Sequence, residues 1–297
     1  MDPVALAAIA VAAILHAAWN ILLKTAGDPL RTATAGVLAS SAILVPGVVV
    51  GWAVVSRPPI PAEAWLIGVM SGVVEVAYFV FLASAFRRGD LSVVYPLARG
   101  SAPLLAVAIG VVILGERLVP GAWLGVGLLL AGILVVQRPW RLLGAGAERQ
   151  DRSAAGFALL TGAMIATYSA LDRVGVQQTP AWLYVAILWP VCGVGLLLVT
   201  RLRARDPRSS AAALEPLDRP RAVLGGLLTL SAYGFVLFAL SRAPLAIVAP
   251  LRESAVLLTS VWGVVRLGEA AGRREVATRL SGSLLVLAGA VALAVAR

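Results

Sequence analysis

Cysteine, histidine and lysine each occur once in this 297-residue chain, at Cys192, His16 and Lys24. One thiol cannot close an intramolecular disulfide. One histidine with one cysteine cannot assemble the usual zinc site, so neither a metal nor a cofactor is expected. Charge is scarce too: 13% of residues are Asp, Glu, Lys or Arg, about half the fraction of a typical soluble domain. No P-loop, no GxSxG and no HExxH occurs, which excludes an ATP-driven pump unless a separate subunit brings the ATPase. Period-two alternation is missing, which argues against a β-barrel. No helix carries the repeated basic residues of a voltage sensor, and nothing resembles a selectivity filter.

Apolar sequence fills the space. The chain is 60% hydrophobic with a mean hydropathy of +0.92. A bilayer-spanning helix takes roughly 20 apolar residues, and ten such stretches are present: 3–25, 32–55, 63–87, 90–114, 119–137, 154–172, 181–201, 220–242, 244–266 and 276–296. The fold class expected is an all-α polytopic membrane protein. Its natural division is a first five-helix unit over 1–137, a glycine- and charge-rich linker over 138–153, and a second unit over 154–297.

The second unit repeats the first. Glu75 to Glu116 recurs loosely as Thr229 to Glu269: Pro96 matches Pro250, Arg99 matches Arg252, and Gly115-Glu116 matches Gly268-Glu269. The offset is 154 at the prolines and 153 at the Gly-Glu pairs, so one residue slips near Leu97. Five spans is an odd number, so the copies enter the membrane in opposite senses. Inverted repeats with matching prolines and matching buried arginines are the layout of secondary transporters, whose solute site lies at the repeat interface. Gly115 and Gly268 read as helix C-caps, with Glu116 and Glu269 at the water boundary. The glycines of the fifth and tenth spans read as close helix packing, inside one chain or across a homodimer.

The formal charge of +10 comes from arginines between the spans, so membrane orientation rather than nucleic acid is its expected role. Loops after odd-numbered spans hold 18 basic residues and the opposite side holds 5. That bias puts the long arginine-rich loops in the cytoplasm and the termini in the periplasm. The N-terminal apolar run, behind only Met1-Asp2, is expected to stay as a first spanning helix.

An ionisable residue at a span's centre costs about 2.5–3.5 kcal/mol on insertion scales, so each one is a candidate site. His16, Asn20 and Lys24 share one face of the first span, beside Trp19. Ser71, Glu75 and Tyr78 share a face of the third; Ser92, Tyr95 and Arg99 share a face of the fourth. Glu75 either pairs with Arg99 across the short turn or faces the cavity. Arg252 and Glu253 are adjacent, about 100° apart on a helix, and are not expected to pair with each other. Tyr168, Tyr233 and Trp189 are candidate cavity walls. Pro96 and Pro250 remove a backbone N–H at matching levels and are expected to kink both helices beside the arginines.

These residues resemble a known family. Two five-helix halves, each ending its fourth helix in Leu-Gly-Glu, look like the EamA type of the drug/metabolite transporter superfamily. The run His16-Ala17-Ala18-Trp19-Asn20 is similar to the His-Ala-Ser-Trp-Asn start of one of its branches. The resemblance implies secondary transport of amino acids or related metabolites, often export, through a cavity lined by helices 1, 3, 4, 6, 8 and 9.

The expectation is therefore an inner-membrane carrier, not an enzyme, moving a small polar solute by alternating access, with protons as a candidate coupling ion. Its substrate-binding residues are His16, Trp19, Asn20, Glu75, Tyr78, Tyr95, Arg99, Tyr168, Tyr233, Arg252 and Glu253. Its partners are the solute and the lipid bilayer, and it is a monomer or homodimer that binds no nucleic acid. The alternatives are a non-transporting scaffold or accessory subunit, and an embedded enzyme acting on a lipid phosphate. The segments expected of the latter are missing.

Overall fold

The computed structural model describes residues 2–24, 28–55, 57–86, 88, 91–137, 149–205, 217–253 and 273–296. Among them are ten α-helices. The first half contributes α1 (Pro3–Lys24), α2 (Pro29–Val54), α3 (Ala62–Phe86), α4 (Leu91–Ala108) and α5 (Pro120–Gln137). The second contributes α6 (Arg149–Gln178), α7 (Ala181–Ala204), α8 (Arg219–Arg242), α9 (Leu245–Arg252) and α10 (Arg273–Val295). Five are long and apolar enough to cross a bilayer by themselves, and four more hold shorter apolar helical stretches. The outer surface is apolar, with Val54, Leu66, Val112 and Leu284 well exposed, while Glu75, Arg99, Asp172, Arg252 and Glu253 are buried. A water-soluble protein has the reverse arrangement. This is a multi-pass membrane protein.

Helix starts follow local chemistry. Asp28 caps α2, its carboxylate accepting from the Leu30 amide at 2.8 Å and the Arg31 amide at 3.1 Å. Asp218 caps α8 through the Arg221 amide at 3.1 Å. These contacts satisfy amides that have no partner inside the helix.

Three boundaries differ from the sequence expectation. The sixth span, expected at 154–172, begins at Arg149 inside the expected linker and continues to Gln178. The expectation stopped at Asp172 because an ionisable pair usually marks the water boundary. Asp172 is 1% exposed instead. The fourth span ends in a π-helical turn, Ile109–Ile113, that hydropathy does not reveal. In the ninth, α9 is described to Arg252 and Pro250 lies inside it; the remainder of the expected span, 254–266, lies outside the described residues.

Packing follows the repeat. The most extensive contacts join α3 to α6, α5 to α10 and α1 to α8, followed by α4 with α6, α3 with α7, α2 with α8 and α2 with α7. Exchanging each helix for the one five places on turns α3–α6 into α8–α1 and α3–α7 into α8–α2. Each of α5–α10, α2–α7 and α4–α9 maps onto itself. Consecutive helices within a half touch only slightly. The halves interleave, and nearly every major interface joins one half to the other.

Glycine permits two of these crossings. A Cβ on Gly289 would stand 2.7 Å from the Gly125 carbonyl oxygen, and one on Gly36 would stand 2.6 Å from that of Ala222. Small residues let backbones approach this closely where lipid gives no hydrophobic drive. Gly125 and Gly289 of α5 and α10 are thus consumed by packing inside one chain.

Candidate functional site

Seven helices converge on one buried cavity. His16 and Trp19 enter from α1, Glu75 and Tyr78 from α3, and Arg99 from α4. Tyr168 comes from α6, Trp189 from α7, Tyr233 from α8 and Arg252 from α9. The space open to water-sized molecules is about 40 Å³, room for roughly three waters. Eight of the expected binding residues line the cavity, and Trp189 joins them. Glu253 lies behind the arginines. The side chains of Asn20, Tyr95 and Pro96 lie outside the described residues.

One pole of the cavity is positive. Arg99 Nη1 donates to Glu253 Oε1 at 3.1 Å and Oε2 at 3.3 Å. Arg252 Nε donates to Glu253 Oε1 at 3.4 Å and its Nη1 to Ser169 Oγ at 3.4 Å. Arg99 Nη2 also meets His16 Nε2. A guanidinium has only donors, so the His16 nitrogen facing it accepts and the ring is neutral in this contact.

Two expectations are corrected here. The carboxylate that pairs with Arg99 belongs to Glu253, not to Glu75, because α3 and α4 barely touch and the partner comes from the other half. Arg252 and Glu253 do meet. The angular argument assumed one continuous helix, whereas α9 ends at Arg252 and Glu253 is its C-cap residue.

The other pole is acidic and aromatic. Glu75, 4% exposed, faces the cavity, and its Oε2 has no hydrogen-bond partner among the described residues. Tyr233, Cys192 and Asp172 adjoin it. Asp172 is fully engaged: its Oδ1 accepts from Ser71 Oγ at 2.5 Å and Tyr184 Oη at 3.2 Å, and its Oδ2 accepts from Tyr233. Tyr78, Tyr168, Tyr233 and Trp189 form a chain of rings with successive centroids 5.9, 6.1 and 5.6 Å apart. The Arg252 guanidinium carbon stands 6.0 Å from the Tyr168 ring centre, so the chain of rings reaches the positive pole. Trp189 is fixed from behind by its indole N–H, which donates to Ser40 Oγ at 2.9 Å.

Asp172 escaped the sequence reading. The available signal was Tyr168 and Asp172 four residues apart, on one helix face.

A second cluster closes one end of the molecule. The π turn and Gly115, at φ +66°, turn the chain so that the Glu116 amide bonds the Gly110 carbonyl at 2.9 Å. The Glu116 carboxylate then accepts from the Leu245 amide at 2.6 Å, the Ala246 amide at 2.9 Å and Arg173 Nε at 3.3 Å. Arg173 Nη1 also donates to the Leu240 carbonyl at 2.5 Å. At the same end Arg242 pairs with Asp2 at 2.9 Å. Glu116 was expected at the water boundary; its side chain is 8% exposed. It supplies the N-terminal cap that Pro244 cannot give α9, and it joins the two halves in doing so.

Comparison with known proteins gives three results. The profile of the EamA-like transporter family matches residues 3–138 and 152–295. The spermidine export protein MdtI of Salmonella paratyphi B, and likewise that of Salmonella newport, is 40% identical over 70 residues. That stretch is 24% of this chain and 64% of the relative, so less than two thirds of those proteins is represented. One solved crystal structure superposes on 97% of this chain and 94% of its own with a TM-score of 0.69 at 21% identity, a likeness of fold.

Proposed function

Because the chain belongs to the EamA-like transporter family, we propose that it is a secondary active carrier that exports a small polar metabolite, an amino acid or a related solute, across the inner membrane. The observation that carries this reading is the charge balance of the cavity. Among the described residues, two guanidinium groups share one carboxylate on one wall, which leaves a net positive charge there, and the Glu75 carboxylate lines the same cavity. A zwitterion fits that polarity: its carboxylate goes to Arg99 and Arg252, its ammonium group toward Glu75. The similarity to proteins named for spermidine export supports an outward direction and an amine-bearing solute.

Alternating access follows from the inverted repeat: each half adopts the other's conformation, which exchanges an outward-open cavity for an inward-open one. The loops rich in arginine face the cytoplasm, and the end closed by Glu116 faces the periplasm. Protons are the candidate coupling ion.

Arg99→Gln and Arg252→Gln, purified and reconstituted into proteoliposomes, test the anion role. Each variant should be expressed and inserted yet lose counterflow of radiolabelled amino acids. Wild-type counterflow by both would refute it.

A further inference from the structure

The two buried acids of the cavity are not equivalent. Asp172 accepts three hydroxyl hydrogen bonds, from Ser71, Tyr184 and Tyr233. These three hydroxyl partners engage both of its oxygens and tie it to α3, α7 and α8. Glu75 is as well buried and its carboxyl is hydrogen-bonded by Tyr233 and Cys192, yet its Oε2 has no partner among the described residues. Buried polar atoms in native proteins are nearly always satisfied, and an exception calls for a reason. Here the unsatisfied oxygen belongs to a residue lining the cavity, where an arriving N–H group would satisfy it.

The walls say what kind of group arrives. Tyr78 and Tyr168 lie edge to face, as do Tyr168 and Tyr233, and Trp189 is tilted against Tyr233. All four rings line the cavity. Aromatic faces attract an organic cation electrostatically, most strongly where water is excluded. A proton arriving alone needs no such wall.

We propose that Glu75, steadied against Asp172 by Tyr233, is a cation subsite that takes the ammonium group of an amine. It rests on the carrier reading for its role in transport but on geometry alone for its chemistry. Asp172 and Tyr233 act as positioning residues. The ionisable groups around the subsite are Tyr78 on α3, Tyr168 and Asp172 on α6, Tyr184 and Cys192 on α7, and Tyr233 on α8. Arg99, Arg252 and His16 stand on the opposite wall.

The test uses the full chain, purified in detergent, with butylammonium and butyrate as probes. Binding is read by thermal shift and by tryptophan fluorescence. Butylammonium should stabilise the wild type, and Glu75→Gln should weaken that binding about tenfold or more, the loss expected for a charge-assisted contact. Glu75→Gln should leave the butyrate response unchanged, and Arg252→Gln should do the reverse. Tyr233→Phe should weaken butylammonium binding less than Glu75→Gln does. Equal butylammonium binding by Glu75→Gln and wild type would overturn the subsite. So would a Glu75→Gln phenotype confined to loss of proton-gradient dependence, which would make Glu75 a proton site instead. Intact Glu75-dependent binding in a protein that carries no solute would sink the carrier reading and leave the subsite standing.

Discussion

Glu116 and Glu75 are both buried carboxylates of the first half, and they are treated in opposite ways. Glu116 receives two backbone amides and a guanidinium. Glu75 keeps an oxygen without a donor and faces open space. The first is spent on structure, fastening the α4–α5 turn to α6 and α9. The second, on the proposal above, is left for a ligand. Burial and charge alone therefore do not mark a binding residue in a membrane protein; the completeness of its hydrogen bonding does.

That contrast can be broken by substitution. The largest effect should come from Glu253→Gln, which leaves two buried guanidiniums without their shared counter-charge. Removing one partner of a buried pair costs about 3–5 kcal/mol, so a steep fall in thermal stability or in inserted protein is expected. Glu116→Gln should come next. It loses the charged cap of α9 and the pair with Arg173, about 1–2 kcal/mol by analogy with other caps, and lowers the unfolding midpoint. A smaller response is expected from Asp2→Asn. The Asp2–Arg242 pair is open to solvent and screened, so the midpoint should not move measurably. The Val4 amide and Arg242 hold the Asp2 carboxyl below its ordinary value. Whatever it contributes is therefore present at neutral pH and lost as pH falls through that depressed value. Least of all should Glu75→Gln disturb the fold, since Oε2 has no partner to lose and the amide keeps an acceptor oxygen for Tyr233 and Cys192.

Orientation sharpens the same comparison. Gln178→Cys is exposed at the end of α6, at the end where Glu116 closes the fold. It should react with an impermeant maleimide from the periplasm, with Cys192 buried and silent. Labelling only in inverted vesicles would reverse the orientation.

The ten spans and their duplication were legible because each rests on a long-period pattern that lipid imposes. The matched arginines were legible for the same reason, since a charge inside a span stands out. What sequence could not supply was the partner of each charge. Glu75 and Arg99 are on consecutive helices joined by a short turn, yet Arg99 finds Glu253 more than 150 residues away, because the halves interleave and consecutive helices scarcely touch. Asp172 was lost for a related reason: hydropathy ends a span at an ionisable residue, while three hydroxyls from other helices let α6 run on past it. Glu116 stands at the helix end where it was expected, but its ligands were not legible, because they are amides at the start of a helix in the other half.

The most direct test measures two properties on one preparation of Glu75→Gln: the unfolding midpoint, and amino-acid counterflow after reconstitution. The account predicts a midpoint equal to or above wild type together with lost exchange. A lowered midpoint with exchange intact would contradict it, and would make Glu75 a second Glu116.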